Sequence, residues 1–239
     1  MNNVEKISSY EKEQKLWRYL KLDRLIDIIE KDEIYFSSAT QFTDDPYEGA
    51  ISILPQEAPV PSENKFDDAF SQLRRLTKIV CWHIADYEND AMWKLYANSK
   101  KGLAITTTIE TLITSLEPYK IKPEYDNEIL YVGKIEYVDL MKDKINTNML
   151  KRFFYKHNAF SWEKEFRLAI SLRMAEEFGV SIPEDGILVK IKPKVLINNI
   201  YLGPTISSED KEKILNICKK HGMEDKIKTS SLLGNPIYS

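Results

Sequence analysis

The chain has 239 residues, 34 basic and 37 acidic, and a formal net charge of -3, which excludes a general electrostatic attraction to nucleic acid or to an anionic membrane. A hydrophobic fraction of 43% supports a sizeable core, and no stretch approaches the about 18 uninterrupted apolar residues of a membrane span. The first fifteen residues are polar and lack a signal-like apolar run, and Cys81 and Cys218 stand far apart with no Cys-x-x-Cys spacing. These features predict a soluble cytoplasmic protein with reduced thiols and no zinc site.

Residues 1–15 carry no clear period and read as a lead-in, so that one α/β domain is expected over 16–239. Leu16-Trp17-Arg18-Tyr19-Leu20 reads as a strand with Arg18 its single charge. A helix follows, with Leu22, Leu25, Ile26 and Ile29 at helical spacing, and Ile34 to Ser38 is a second strand closed by the hydroxyls of Ser37 and Ser38. Asp44-Asp45-Pro46-Tyr47-Glu48-Gly49 is a turn. Its acids suit a divalent metal, since hard cations take oxygen ligands, or a turn whose aspartates bond their own backbone.

Residues 51–61, with three prolines, read as a surface connection, and Ser62 caps a helix with Phe66, Phe70, Leu73 and Leu76 inward and Arg74 and Arg75 on a solvated face. Ile79 to Ile84 is a buried strand in which His83 is the lone histidine. Asn89 or Asp90 caps a helix over 91–97 with Met92, Leu95 and Tyr96 along one side. Trp93 and Tyr96, three residues apart, are candidates to stack on a flat ligand or to pack in a core. Gly102 to Thr108 is a strand and Ile109 to Leu116 a helix. Strands follow within 126–133 and over 135–138, and aromatic spacing predicts a helix over 147–160. The tail reads strand (196–202), helix from Ser208 stopped at Gly222, strand (227–232), a crossover that places two strands in parallel. The class is α+β, or mixed α/β, with a mixed central sheet flanked by helices.

Trp162-Glu163-Lys164-Glu165-Phe166-Arg167-Leu168 runs a group of charges into an apolar stretch. In an extended chain Glu163, Glu165 and Arg167 share one face, and the two carboxylates lie roughly 7 Å apart. That spacing suits a site where one carboxylate stabilises a developing positive charge while the other orients a nucleophile, and equally an ion-pair ladder to Arg167.

Three stretches together resemble the bacterial family known as domain of unknown function 2971. They are the opening strand-helix-strand with Phe42-Thr43-Asp44-Asp45-Pro46-Tyr47-Glu48, then Met92 to Ala97 with Gly102 to Ile105, then Trp162 to Arg167. The opening also looks like the start of ADP-ribosyltransferase domains, in which a histidine or arginine on the first strand holds NAD and a later strand brings a glutamate preceded two residues earlier by Glu or Gln. Arg18, and Glu165 with Glu163, occupy those places. For the middle motif the resemblance offers Ser37 and Ser38 or Tyr96, and Trp93 or Tyr96 as a sandwich for nicotinamide. It implies NAD as substrate, no metal, an unknown macromolecular acceptor or water, and a setting as a toxin or phage-defence effector. A non-catalytic binding module, and a metal-dependent hydrolase or nuclease built on Asp44, Asp45 and Glu48, remain the alternatives.

Overall fold

The computed structural model describes residues 3–52, 65–143 and 145–238. The expected proline-rich connection and the Ser62 cap fall largely or wholly outside the described residues. In chain order the strands are β1 (Val4–Lys6), β2 (Lys15–Leu20), β3 (Glu33–Ser38), β4 (Thr77–Ile84), β5 (Leu103–Thr108), β6 (Leu130–Lys134), β7 (Glu136–Val138), β8 (Tyr155–His157), β9 (Glu165–Ser171), β10 (Gly186–Lys190), β11 (Asn199–Leu202) and β12 (Ile227–Thr229). The α-helices are α1 (Leu22–Lys31), α2 (Lys65–Leu76), α3 (Asp90–Tyr96), α4 (Ile109–Ser115), α5 (Arg173–Glu177), α6 (Pro193–Leu196) and α7 (Ser208–Lys220). Parallel and antiparallel pairs occur together, so the chain has the mixed α/β class that its sequence predicts.

The chain divides into two compact units. The first comprises Met1–Tyr10, Tyr35–Cys81 and Pro118–Val189. Its strands run β1-β6-β9-β4, with β1 parallel to β6, β9 antiparallel to β6, and β3 joined to β4 and β10. A separate parallel pair is made by β7 and β8, in register Glu136 to Tyr155. Leu73, Ile79, Ile135, Phe153, Phe154 and Ala169 pack into its core.

The second unit comprises Glu11–Ile34, Trp82–Glu117 and Lys190–Ser239. There β2 pairs antiparallel with the end of β4 and with β5, β5 pairs antiparallel with β11, and β11 runs parallel to β12. The expected strand-helix-strand crossover is thus present. Trp17, Tyr19, Met92, Trp93, Ala97 and Ala104 form one core cluster. The Asn89 side chain caps α3, accepting from the N–H of Ala91 and of Met92.

Several elements differ from expectation, each for a local reason. Val4–Lys6 pairs with β6 although its sequence has no period, because a three-residue edge strand needs only backbone partners. The helix expected over 147–160 is instead a 3-10 turn (Lys151–Phe154), β8, and a 3-10 helix (Asn158–Glu163). The Asn148 side chain takes the N–H of Leu150 and Lys151, and Tyr155–His157 finds strand partners in β7. On α3 the buried residues are Met92 and Trp93, while Leu95 and Tyr96 are exposed. Leu215 on α7 is likewise exposed, although helical spacing predicts it inward with Ile214 and Cys218. Arg74 and Arg75 do not form a solvated face, since Arg74 donates to the Ala39 carbonyl and Arg75 pairs with Glu176.

Candidate functional site

Within the first unit, six ionisable side chains are buried together. They come from β9 (Glu165, Arg167), the 3-10 helix before it (Glu163), β8 (Lys156) and the turn at 44–49 (Asp45, Glu48). Alternation along β9 puts Glu165 and Arg167 on one face. Glu163 is not on that strand. Lys164 takes a left-handed conformation (φ 44°, ψ 57°), and this single residue turns the chain so that Glu163 comes back beside Glu165. The turn carrying Glu48 lies tight against Phe153, since a Cβ on Gly49 would stand 2.6 Å from the Phe153 ring and the φ of Gly49 is +78°.

Arg167 is fully buried and uses every donor it has. Nη1 donates to Glu48 Oε1 and to the Phe153 carbonyl, both at 2.6 Å, and Nη2 donates to Glu48 Oε2 at 3.2 Å and Glu165 Oε2 at 2.9 Å. Nε donates to Glu165 Oε2 at 3.3 Å. On the other side of Glu165, Lys156 Nζ donates to Glu165 Oε1 at 2.8 Å and to Glu163 Oε2 at 2.5 Å, with Asp45 Oδ2 at 3.8 Å. The Tyr137 hydroxyl accepts from the Glu165 N–H at 2.9 Å.

This arrangement separates the two carboxyl groups in protonation. Burial opposes charge on both, but Glu165 lies between Arg167 and Lys156 and is held well below the usual carboxylate range. Burial and the neighbouring Glu165 push Glu163 up to about 7, against the opposing effect of Lys156. Glu48 is raised by its complete burial despite its bond to Arg167. The Cys81 thiol is raised by burial and by Glu165, and is not a thiolate at neutral pH. A carboxylate and a carboxyl that exchanges its proton near neutrality therefore stand on one lysine.

The candidates from sequence fall in different places. Glu163 and Glu165 come together. Ser37 and Ser38 end β3 in the same unit, where the buried Ser38 hydroxyl donates to the Glu184 carbonyl and accepts from Lys78 Nζ at 2.6 Å. Arg18, Trp93 and Tyr96 belong to the second unit. There the Arg18 guanidinium lies over the Trp82 ring at 5.7 Å. Trp93 is wholly buried, edge-on to Tyr19, with its indole N–H donated to Glu88 at 3.0 Å, while Tyr96 is exposed.

The acids of the turn divide between roles. Asp44 is exposed, Asp45 Oδ1 accepts from the Tyr47 N–H at 3.0 Å, and both oxygens of Glu48 are taken by Arg167. They do not converge on one point, and among the described residues no three His, Cys, Asp or Glu side chains form a metal-binding group. Lys156 is the residue that sequence reasoning missed. Its signal was a lone cation inside Phe153-Phe154-Tyr155-Lys156-His157, concealed by the helical spacing of the aromatics.

Residues 92–168 match the family described as "Protein of unknown function (DUF2971)". This agrees with the family resemblance of the sequence motifs. No curated protein matches the chain. Among solved structures it is similar to DarT of Thermus sp. 2.9 in complex with NAD+, at 9% identity and TM-score 0.40, covering 93% of this chain and 96% of that one. It is similar to the same protein with carba-NAD+ (11%, TM-score 0.33, covering 92% and 96%) and with ADP-ribosylated ssDNA (10%, TM-score 0.36, covering 93% and 96%). No helix among the described residues is long and apolar enough to cross a membrane.

Proposed function

We propose that the chain is an NAD-consuming enzyme of the ADP-ribosyltransferase type, transferring ADP-ribose to a macromolecular acceptor or to water, with Glu165 and Glu163 as its reactive pair. The observation that carries this reading is a pair of buried carboxyl groups bridged by Lys156, of which Glu165 also binds Arg167, an arrangement that favours the charged form of Glu165 and raises Glu163. NAD as substrate follows from the resemblance of the sequence motifs. Cleavage of the nicotinamide–ribose bond sends the bonding electrons to the departing nicotinamide and leaves oxocarbenium-like charge on the ribose, which the ionised Glu165 stabilises. The hydroxyl of the acceptor, or water, then bonds to that carbon and gives its proton to Glu163, whose affinity for a proton suits a base near neutral pH. Arg167 and Glu48 form the inner support that holds Glu165 in place. A role as toxin or phage-defence effector belongs to the same resemblance.

The test is nicotinamide release from NAD by the purified protein, with cell lysate as a source of acceptors, beside Glu165→Gln and Glu163→Gln shown to be folded by circular dichroism. Release by the wild type and a loss of at least about 100-fold in Glu165→Gln are expected. No release by the wild type removes the reading.

A second reading, a non-catalytic module, is favoured by one observation: Glu163, Glu165 and Lys156 are each only 6% exposed and already paired. On that reading Glu165→Gln lowers stability and there is no activity to lose.

A further inference from the structure

Asp45 is 4% exposed, and its two oxygens are treated differently. Oδ1 accepts from the Tyr47 N–H at 3.0 Å. Oδ2 is buried and accepts no hydrogen bond from the described residues. The ammonium group facing it, Lys156 Nζ, is 3.8 Å away, outside hydrogen-bond distance, and donates to Glu163 and Glu165 instead. Arg167 has no donor left for it, since all five are spent on Glu48, Glu165 and the Phe153 carbonyl. A buried carboxylate oxygen without a donor is costly, and few such atoms persist in a folded protein unless something else satisfies them.

We propose that Asp45 is a substrate-binding residue whose Oδ2 accepts a hydroxyl or amide N–H of the ligand seated against the Glu163–Lys156 pair. The proposal rests on the NAD-consuming reading of this site and adds to it a residue and an orientation. Four acids, Asp45, Glu48, Glu163 and Glu165, face two cations, Lys156 and Arg167, so the position beside Asp45 receives a donor and repels an anion. A sugar hydroxyl or the carboxamide of NAD fits there, and its pyrophosphate does not. Tyr47, two residues on in the same turn, is 39% exposed with its ring 6.1 Å from that of His157, so the turn that carries Asp45 also presents aromatic surface to solvent.

Asp45→Asn tests this, because the amide keeps an oxygen for the Tyr47 N–H and replaces Oδ2 by a donor. NAD binding is measured by titration calorimetry and nicotinamide release by steady-state kinetics, with melting temperature alongside. The proposal expects Kd and KM for NAD to rise at least about tenfold, the size of one lost hydrogen bond, with kcat changed by less than about threefold and the melting temperature level or raised. A melting temperature several degrees lower with unchanged KM makes Asp45 the structural partner of Lys156 and overturns it. If Asp45→Asn does not fold, Asp45→Ser, which also keeps an oxygen for Tyr47, is read in the same way. A wild type that binds NAD without releasing nicotinamide removes the catalytic reading, while the ratio of Kd values still decides Asp45. A wild type that turns over NAD with an unchanged KM in Asp45→Asn removes Asp45 and leaves the reading standing. A wild type that neither binds nor consumes NAD overturns both.

Discussion

Arg167 is the residue on which the buried charges depend, since its fork binds Glu48 through both oxygens and Glu165 through one, at no exposure to water. Removing it leaves two buried acids without their main counter-charge. Arg167→Met is expected to cost about 3–5 kcal/mol in urea denaturation, and adding Glu48→Gln to recover part of that loss. Arg167→Lys is not a conservative change, because one ammonium cannot serve Glu48, Glu165 and the Phe153 carbonyl in their present geometry. Glu163 makes a second prediction, in pH. Its folded value near 7 lies above the ordinary 4.5, so between those values the folded state holds the extra proton. The stability it contributes is fully present below pH 4.5 and is lost as pH rises through 7. Against Glu163→Gln the wild type should lose up to about 3 kcal/mol across that window in paired denaturation curves. Glu165, held below the usual range, has the opposite sign, and its contribution fades as pH falls through its lowered value. The Glu163 assignment fails if the two proteins lose stability in parallel from pH 4.5 to 7.

Between the 3-10 helix and β9 a single residue sets the geometry of the carboxyl pair. Lys164 is left-handed, a conformation that costs an L-residue with a Cβ roughly 1–2 kcal/mol and a β-branched residue more. Lys164→Gly is expected to be neutral or to stabilise by up to about 1 kcal/mol, because relief of that strain is offset by the freer unfolded chain. Lys164→Val is expected to cost about 1–3 kcal/mol and to slow nicotinamide release as Glu163 leaves Lys156, both read from one preparation. The same join explains what was legible in the sequence. The spacing of Glu163 and Glu165 suggested proximity through strand alternation, whereas the structure reaches it through a turn that the sequence does not announce, with lysine in a position that favours glycine. Elements with strong periods and clear stops, such as β2-α1-β3 and β11-α7-β12, were readable because local pattern and tertiary contact agree there. Residues 147–160 were not, because pairing of β8 with β7, distant in sequence, overrides a helical spacing of aromatics. Lys156 was lost with them.

For the molecule as a whole, composition conceals the feature that matters most. A net charge of -3 over 239 residues suggests nothing unusual, yet one of the two units buries a single cluster of four acids and two cations. Charges buried at such cost are retained either because the fold depends on them or because a ligand does, and the two cases differ in how the entire folded chain responds to that ligand. A ligand that binds only the folded state raises its stability by an amount set by concentration over Kd, wherever in the chain it binds. Glu163→Gln is the suitable protein for the measurement, since it keeps the ionised Glu165 between Arg167 and Lys156 but lacks the proposed base, and so consumes NAD slowly during a scan. With NAD at 100 times its measured Kd, the expected stabilisation is about 2.7 kcal/mol. For a chain of this size that is a rise in melting temperature of about 5–10 °C. A folded Glu163→Gln whose melting temperature does not respond to NAD at millimolar concentration, together with a wild type that also does not respond, would leave the buried charges with a structural role alone.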